Sequence, residues 1–222
     1  VASRSSSPRS ARPRRRRDRF VPSNEHLVAQ SHKGVALRVR LLVASRNADK
    51  LRELRRVLPE WEVDLLGASD EPVEDGETFR DNARIKARHG QRYAAAGDWV
   101  VGEDSGIEVA ALDGRPGVHS ARWAADGVAR LLAELEGVGE RRARYVCELV
   151  AVSPDGSEVL AGGTLEGEIV PEARGSEGFG YDPIFVPVGE SRTVAELGNA
   201  WKAEHSHRAE AARALAAALR AT

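Results

Sequence analysis

One cysteine, Cys147, is all that this chain of 222 residues contains, so no disulfide can close within it. It lies in the apolar stretch 145–152, where a buried, inert thiol and a cytoplasmic setting are the expectation. With no second cysteine and only six His, mostly scattered, a structural zinc site is not expected. Long apolar runs are missing too, since none approaches the ~18 residues that a membrane-spanning helix needs. There is no internal repeat and no methionine. What is present, 30% charged and 41% hydrophobic residues, is ordinary for a globular protein able to bury a substantial core.

The net charge of -1 hides a strong asymmetry. Residues 1–38 hold ten Lys/Arg and two acids, whereas the remainder holds 23 Lys/Arg against 32 acids. Residues 1–36 are Ser-rich, then Arg-rich, with Pro8, Pro13 and Pro22 interspersed, a composition that cannot bury enough apolar area to order itself. A nucleic-acid-binding arm and a targeting peptide share this composition, although the prolines oppose the amphipathic helix of a transit peptide. Because the sequence starts at Val1 and has no Met, a disordered or non-native extension is the preferred expectation. A folded domain is expected over residues 37–222. Its acidity means that handling phosphates would require a divalent metal and locally placed cations.

From residue 39 onward, strand and helix patterns alternate, which predicts an α/β fold. Strands are expected at 39–44, 61–66, 99–101, 107–110, 142–153 and 158–169. The last two should form a hairpin through Pro154-Asp155-Gly156. Helices are expected from Ala48 with Asn47 as N-cap, from Thr78 to about Ala95 through a Thr-x-x-Asp capping box, over 127–135, and from Ser206 to the end. Ala212, Leu215, Ala216 and Leu219 should form the buried stripe of the last helix.

Four short constellations carry chemistry. In Ser45-Arg46-Asn47-Ala48-Asp49-Lys50, a lysine in the first helical turn opposes the helix dipole unless an anion sits there, so Ser45, Asn47 and Lys50 could converge on a phosphate. Judged on this motif alone, a capped surface helix with a solvated lysine is the favoured alternative. Glu103-Asp104-Ser105-Gly106 follows an apolar strand, so its carboxylates are expected at a strand's carboxyl end, with one of the pair facing a ligand. Glu74 offers a second carboxylate, and two carboxylates with substrate phosphates describe a Mg²⁺ site. Lys86, four residues after Asn82 on the Thr78 helix, could hold a phosphate or be an exposed cation. In Gly178-Phe179-Gly180-Tyr181-Asp182-Pro183, an exposed Phe179 beside Tyr181 and Asp182 could stack on a base and bond its edge; a tight turn with a buried aromatic is the alternative. Ser206-His207-Arg208, with Lys202 upstream, places donors at a helix start, suited to a purine 6-keto oxygen or to solvent.

Ser-x-Asn-x-x-Lys, Glu-x-Gly-x-Thr-Phe with Asn82 and Lys86, Asp-Ser-Gly, Pro-Gly-Val-His-Ser-Ala-Arg, Gly-Phe-Gly-Tyr-Asp-Pro-Ile-Phe and Ser-His-Arg occur in this order at compatible spacing. Over residues 39–220 the chain therefore resembles the inosine triphosphate pyrophosphatase family, the XTP/dITP diphosphatases. The resemblance implies Mg²⁺-dependent cleavage of ITP, dITP or XTP between the α- and β-phosphates. It also implies an elongated mixed sheet flanked by helices, two lobes with the site in the cleft between them, and a homodimer. Residue by residue it implies Asp104 as metal-binding catalytic acid and Glu74 as metal-associated carboxylate. Ser45, Asn47, Lys50 and Lys86 would be phosphate contacts and Ser105 a substrate contact. Phe179, Gly180, Tyr181, Asp182, Lys202, His207 and Arg208 would form the base pocket.

Two features depart from that pattern. Glu103 stands where many members have a first Asp, and the segment after Trp123 is short, which bears on the dimer. The related Maf-type nucleotide pyrophosphatases are a competing reading, opposed by the Phe-Gly-Tyr-Asp and Ser-His-Arg elements. A nucleic-acid-binding protein acting through the Arg-rich arm is the alternative from another class.

Overall fold

The structure, a computed structural model, describes residue 1 and residues 40–221. Apart from Val1, the basic segment 1–36 lies outside the described residues. Residues 40–221 belong to one compact unit, Arg38–Thr222.

The chain runs β1 (Arg40–Val43), α1 (Ala48–Val57), β2 (Glu62–Leu65), α2 (Phe79–Gly90), β3 (Trp99–Val109), α3 (Gly127–Glu134), β4 (Arg142–Val152), β5 (Glu158–Ile169), β6 (Phe185–Pro187), α4 (Val194–His205) and α5 (His207–Ala221). Six strands form one mixed sheet in the order β2-β1-β3-β4-β5-β6. β1 is parallel to β2 and β3; the remaining pairs are antiparallel.

Local chemistry starts the helices where the sequence indicates. The Asn47 side chain caps α1 by accepting from the Asp49 and Lys50 amides, and Thr78 caps α2 by accepting from Asp81 N. α1 has only 10 residues, too few to persist alone in water, so its stability comes from burying Leu51 and Leu54. Each such leucine contributes ~1.5–3 kcal/mol relative to an exposed one. α1 and α5 pack Leu51, Leu54, Ala212 and Leu215 on one face of the sheet with Val101, Leu149 and Ala151. α2 covers the other face through Ala83 and Ala87 against Val150 and Val152. A Cβ on Gly102 would come within 1.9 Å of the Ala83 carbonyl, so this helix can lie on β3 only because Gly102 has no side chain. A second large cluster, with Ile107, Val109, Leu131, Tyr145, Ile169 and Phe185, fills the far end of the long strands. Along β3 the polar run Glu103–Ser105 lies between these two apolar masses.

Three expectations are corrected. The two strands expected around Glu103-Asp104-Ser105-Gly106 are one strand, so the carboxylates sit mid-strand rather than at its end. The ligand-facing edge arises differently: β1 pairs only with residues 99–101 of β3, and residues 102–109 run on beyond it. The Thr78 helix stops at Gly90 and tightens into a 3₁₀ turn, Gln91–Tyr93, a common helix ending. β6 and α4 were not expected. α4 is opened by a reciprocal capping box between Thr193 and Glu196 and kinked at Gly198, where φ is 85°.

Candidate active site

Where β3 runs past β1, a cavity of about 610 Å³ opens. Its wall comes from the β1–α1 turn and α1 start (Ala44 to Lys50), residues 66–74, α2 (Lys86, His89, Gly90), β3 (Asp104, Ser105) and the segment ending in Arg122. Asp104 is 5% exposed. Lys86 Nζ donates to Asp104 Oδ1 at 2.7 Å and to the Glu103 carbonyl at 3.2 Å, and meets Glu74 Oε2 at 3.0 Å. Burial raises the Asp104 pKa above the ordinary aspartate value, against the opposing pull of Lys86. Burial works against the charge of Lys86, but Asp104 and Glu74 outweigh it and raise the ammonium pKa. Asn82 is fully buried and links two walls: its Nδ2 reaches Asp104 Oδ2 at 3.4 Å, and its Oδ1 accepts from Gly76 N at 2.9 Å.

On the opposite face of β3 the charges form a buried chain. Glu103 is 0% exposed and meets Lys50 Nζ at 2.5 Å and Arg208 Nη2 at 3.0 Å. Arg208 also donates to Ser105 Oγ at 2.8 Å and pairs with Glu53. Glu53 meets Lys202 Nζ at 2.5 Å, and Lys202 meets Asp182 Oδ2 at 2.6 Å. Burial alone would raise Glu103 and Glu53, yet the adjoining Lys and Arg charges hold both below the ordinary glutamate value. Asp182 stays raised because burial outweighs Lys202. His207 stacks on Tyr145, centroids 4.7 Å apart, and burial with the Arg208 charge keeps its pKa well below the usual value. Its Nδ1 is buried without a partner. The Cys147 thiol sits beneath this chain, 3.5 Å from Glu103 Oε1.

The Ham1 family model matches residues 41–218. The chain belongs to the Ham1 family. It is 47% identical over 202 residues to the dITP/XTP pyrophosphatase of Mycobacterium tuberculosis, covering 84% of this chain and 98% of that protein. With the dITP/XTP pyrophosphatase of Corynebacterium glutamicum it shares 44% identity over 197 residues, 80% of this chain and 95% of the other. Among solved structures, the Staphylococcus aureus Ham1 protein superposes with a TM-score of 0.73 at 34% identity, covering 82% of this chain and 98% of that one. The dITP/XTP pyrophosphatase of Mycobacterium abscessus superposes at 0.63 with 43% identity, covering 81% and 97%.

In this Ham1-family chain, Ser45, Asn47, Lys50, Glu74, Lys86, Asp104 and Ser105 all line the cavity. Phe179, Gly180, Tyr181, Asp182, Lys202, His207 and Arg208 do not line it. Lys50 and Ser105 belong to both regions, lining the cavity and bonding to the buried chain. Several local expectations change. Lys50 is not solvated but paired with Glu103. The Asp49 and Lys50 amides are already taken by Asn47 Oδ1 and the Asn47 amide by Ser45 Oγ, while the Ser45 hydroxyl and Asn47 side-chain amide remain among the donors there. Phe179 is half-buried rather than exposed, with Lys202 Nζ 4.6 Å and Arg208 Cζ 5.5 Å from its ring centre. Tyr181 and Asp182 are buried: the Tyr181 hydroxyl donates to the Ser120 carbonyl, and Asp182 accepts from Phe179 N. Burial holds the His207 pKa well below its usual value, which opposes a protonated donor at this position. The sequence reading missed Glu53, and gave Asn82 and Arg122 only as members of motifs, with no role. For Glu53 the signal was a charged residue beside Leu54 on the buried stripe of α1, spaced three from Lys50.

Proposed function

We propose that this chain hydrolyses dITP, XTP and ITP to the monophosphate and pyrophosphate, as the names of its relatives describe for dITP and XTP. The observation that carries the reading is Asp104: a carboxylate with a raised pKa, fixed on a continuous strand, in a cavity with Lys86 and the start of α1. A raised carboxylate is a better proton acceptor for an attacking water than an ordinary one. Lys86 bears on the negative charge that develops as the anhydride breaks, while the Ser45 hydroxyl, the Asn47 amide and Lys50 orient the phosphate chain. The base is assigned to the side where Arg208 meets Ser105 and lies over the Phe179 ring.

The donor set fits a Mg²⁺ ion. Glu74 and Asp104 converge on the Lys86 ammonium at 3.0 and 2.7 Å, so a cation already stands between them. Mg²⁺ takes one or two carboxylates and leaves its other positions to water and phosphate oxygens. Among the described residues no group of three or more His, Cys, Asp or Glu forms an all-protein metal cage. Glu74 and Asp104 would hold the ion, which when bound neutralises phosphate charge and polarises the scissile bond. A homodimer acting in the cytoplasm on the free nucleotide pool completes the reading. No helix among the described residues is long and apolar enough to cross a membrane.

The test is pyrophosphate release from dITP, XTP, ITP, GTP and ATP, with and without Mg²⁺. Turnover of the first three well above GTP and ATP, dependent on the ion, is expected. Equal turnover of ATP, or none of dITP and XTP, overturns the reading.

A further inference from the structure

Residues 69–75 lead from β2 to α2 and make no backbone–backbone hydrogen bond among the described residues. Near their middle, Val73 is 79% exposed. The polar contacts that tie them to the cavity walls involve side chains, at three points. Asp70 accepts from the Tyr93 hydroxyl and meets His89 Nε2 at 3.0 Å. Glu71 meets Arg46 of the β1–α1 turn at 3.2 Å. Glu74 meets Lys86 at 3.0 Å and Arg122 at 3.4 Å.

The three ties are unequal. Arg46 and Glu71 are both more than half exposed, and such a pair contributes little. Glu74 depends on Lys86, which also serves Asp104. Asp70 has two donors, both supplied where α2 tightens into the 3₁₀ turn Gln91–Tyr93. There the His89 and Tyr93 rings stand 5.7 Å apart, and Arg92 donates to His89 Nδ1. The Tyr93 and His89 hydrogen bonds hold the Asp70 carboxyl below the ordinary aspartate value, so it is ionised and only accepts. His89 then presents Nε2–H to Asp70 and leaves Nδ1 to accept from Arg92, so one tautomer satisfies both bonds. The His89 side chain is 10% exposed and that of Asp70 57%. The socket thus belongs to the helix end, and the carboxylate is the part that can leave it. From this we infer that Asp70 is a positioning residue: seated between His89 and Tyr93, it clasps residues 69–75 to the end of α2 and so keeps Glu74 beside Lys86 and Asp104. The inference rests on the proposed hydrolysis for the role of Glu74, whereas the clasp itself is tested without turnover.

Asp70→Ala, Asp70→Asn and Tyr93→Phe are compared with the wild type. Glu172→Ala serves as a charge control, since Glu172 is exposed and outside the cavity. The first measurement is the rate at which a glutamyl endopeptidase cuts after Glu74 in the native protein, without substrate or Mg²⁺. Asp70→Ala should raise that rate about threefold or more with little change in the urea midpoint, because the segment is released while the core is untouched. Asp70→Asn still accepts from both donors and should recover part of the change. Tyr93→Phe removes one hydroxyl outside the cavity and should raise cleavage by about twofold. The second measurement is turnover of dITP against Mg²⁺ concentration. In Asp70→Ala the Mg²⁺ needed for half-maximal rate should rise about threefold or more, with the lost rate recovered at high Mg²⁺. Mere removal of a negative charge from the cavity wall has the opposite sign, since it would favour a triphosphate and lower KM. Cleavage in folded Asp70→Ala no faster than in Glu172→Ala overturns the clasp, and faster cleavage with an unmoved Mg²⁺ requirement overturns the positioning role. Should Asp70→Ala fold poorly, Tyr93→Phe decides: cleavage equal to wild type overturns the clasp. If the wild type hydrolyses no nucleotide, the proposed function fails separately, and the cleavage rates alone decide the clasp.

Discussion

Glu103 and Asp104 are neighbours on one strand, are both buried carboxylates, and have opposite chemistry. They differ first in direction, since successive side chains on a strand leave on opposite faces. Glu103 enters a side where Lys50 and Arg208 both meet it, and its pKa is held below the ordinary value. Asp104 enters the cavity side, where Lys86 is divided between it and Glu74, and burial wins. Partner supply, not depth, separates an anchored carboxylate from a reactive one. The same sheet thus carries a set of saturated charges on one face and an unsaturated set on the other.

The largest effect that tests this contrast belongs to the anchored face. Glu103→Ala leaves the buried Arg208 and Lys50 short of a carboxylate and should destabilise the fold by about 3–5 kcal/mol. Urea unfolding measures it, and a loss no greater than that of a typical surface substitution would erase the contrast. On the reactive face, Asp104→Asn should lower turnover of dITP by ~10²-fold while the fold persists. Near-normal turnover in the folded variant removes Asp104 from the chemistry. Lys50→Ala touches both faces. It should raise KM and also cost roughly 1–2 kcal/mol, because Glu103 keeps only Arg208 as a charged partner. Unchanged urea stability would mean that the Lys50–Glu103 pair is not sustained in solution.

The smallest effect is in the pH profile. Asp104 must be ionised to accept a proton, so kcat/KM should fall as the pH drops through a value above the ordinary aspartate range. Lys86 pulls that value down, so Lys86→Ala should move the acid limb to higher pH. An unmoved limb would show that another group sets it. Stability should follow the other face. Glu53 and Glu103 have depressed folded pKa values, so their contribution is complete above the ordinary glutamate range and is lost as the pH falls from there through their lower folded values.

What could be read from the sequence was what neighbours in sequence decide. Asn47, Thr78 and Asp126 cap helices through bonds spanning two or three residues, and all three helices start as the pattern indicates. The expected residues that line the cavity, Ser45, Asn47, Lys50, Glu74, Lys86, Asp104 and Ser105, stand in short motifs after β1, before and on α2, and on β3. The break expected inside β3 had a physical cause: Glu103-Asp104-Ser105-Gly106 is polar, and a polar run signals a loop unless its partners are known. Those partners are remote, with Arg208 lying 105 residues from Glu103. The same distance hid the burial of Lys202, Asp182 and Arg208, which read locally as solvated or ligand-facing groups. α4 escaped notice because Gly198 interrupts its periodicity, although the Thr193 and Glu196 box was there to be read.

Cys147 gives this protein a built-in clock. It is the sole thiol in the chain, fully buried opposite Ser105 in the β3–β4 ladder and in contact with Glu103. An alkylating reagent can reach it only when α1 and α5 lift from that face of the sheet or the sheet itself parts there. The rate of its labelling therefore times that opening in the native protein, without an engineered probe. Because burial raises the thiol pKa well above its usual value, labelling of the closed state is suppressed twice, by access and by the scarcity of thiolate.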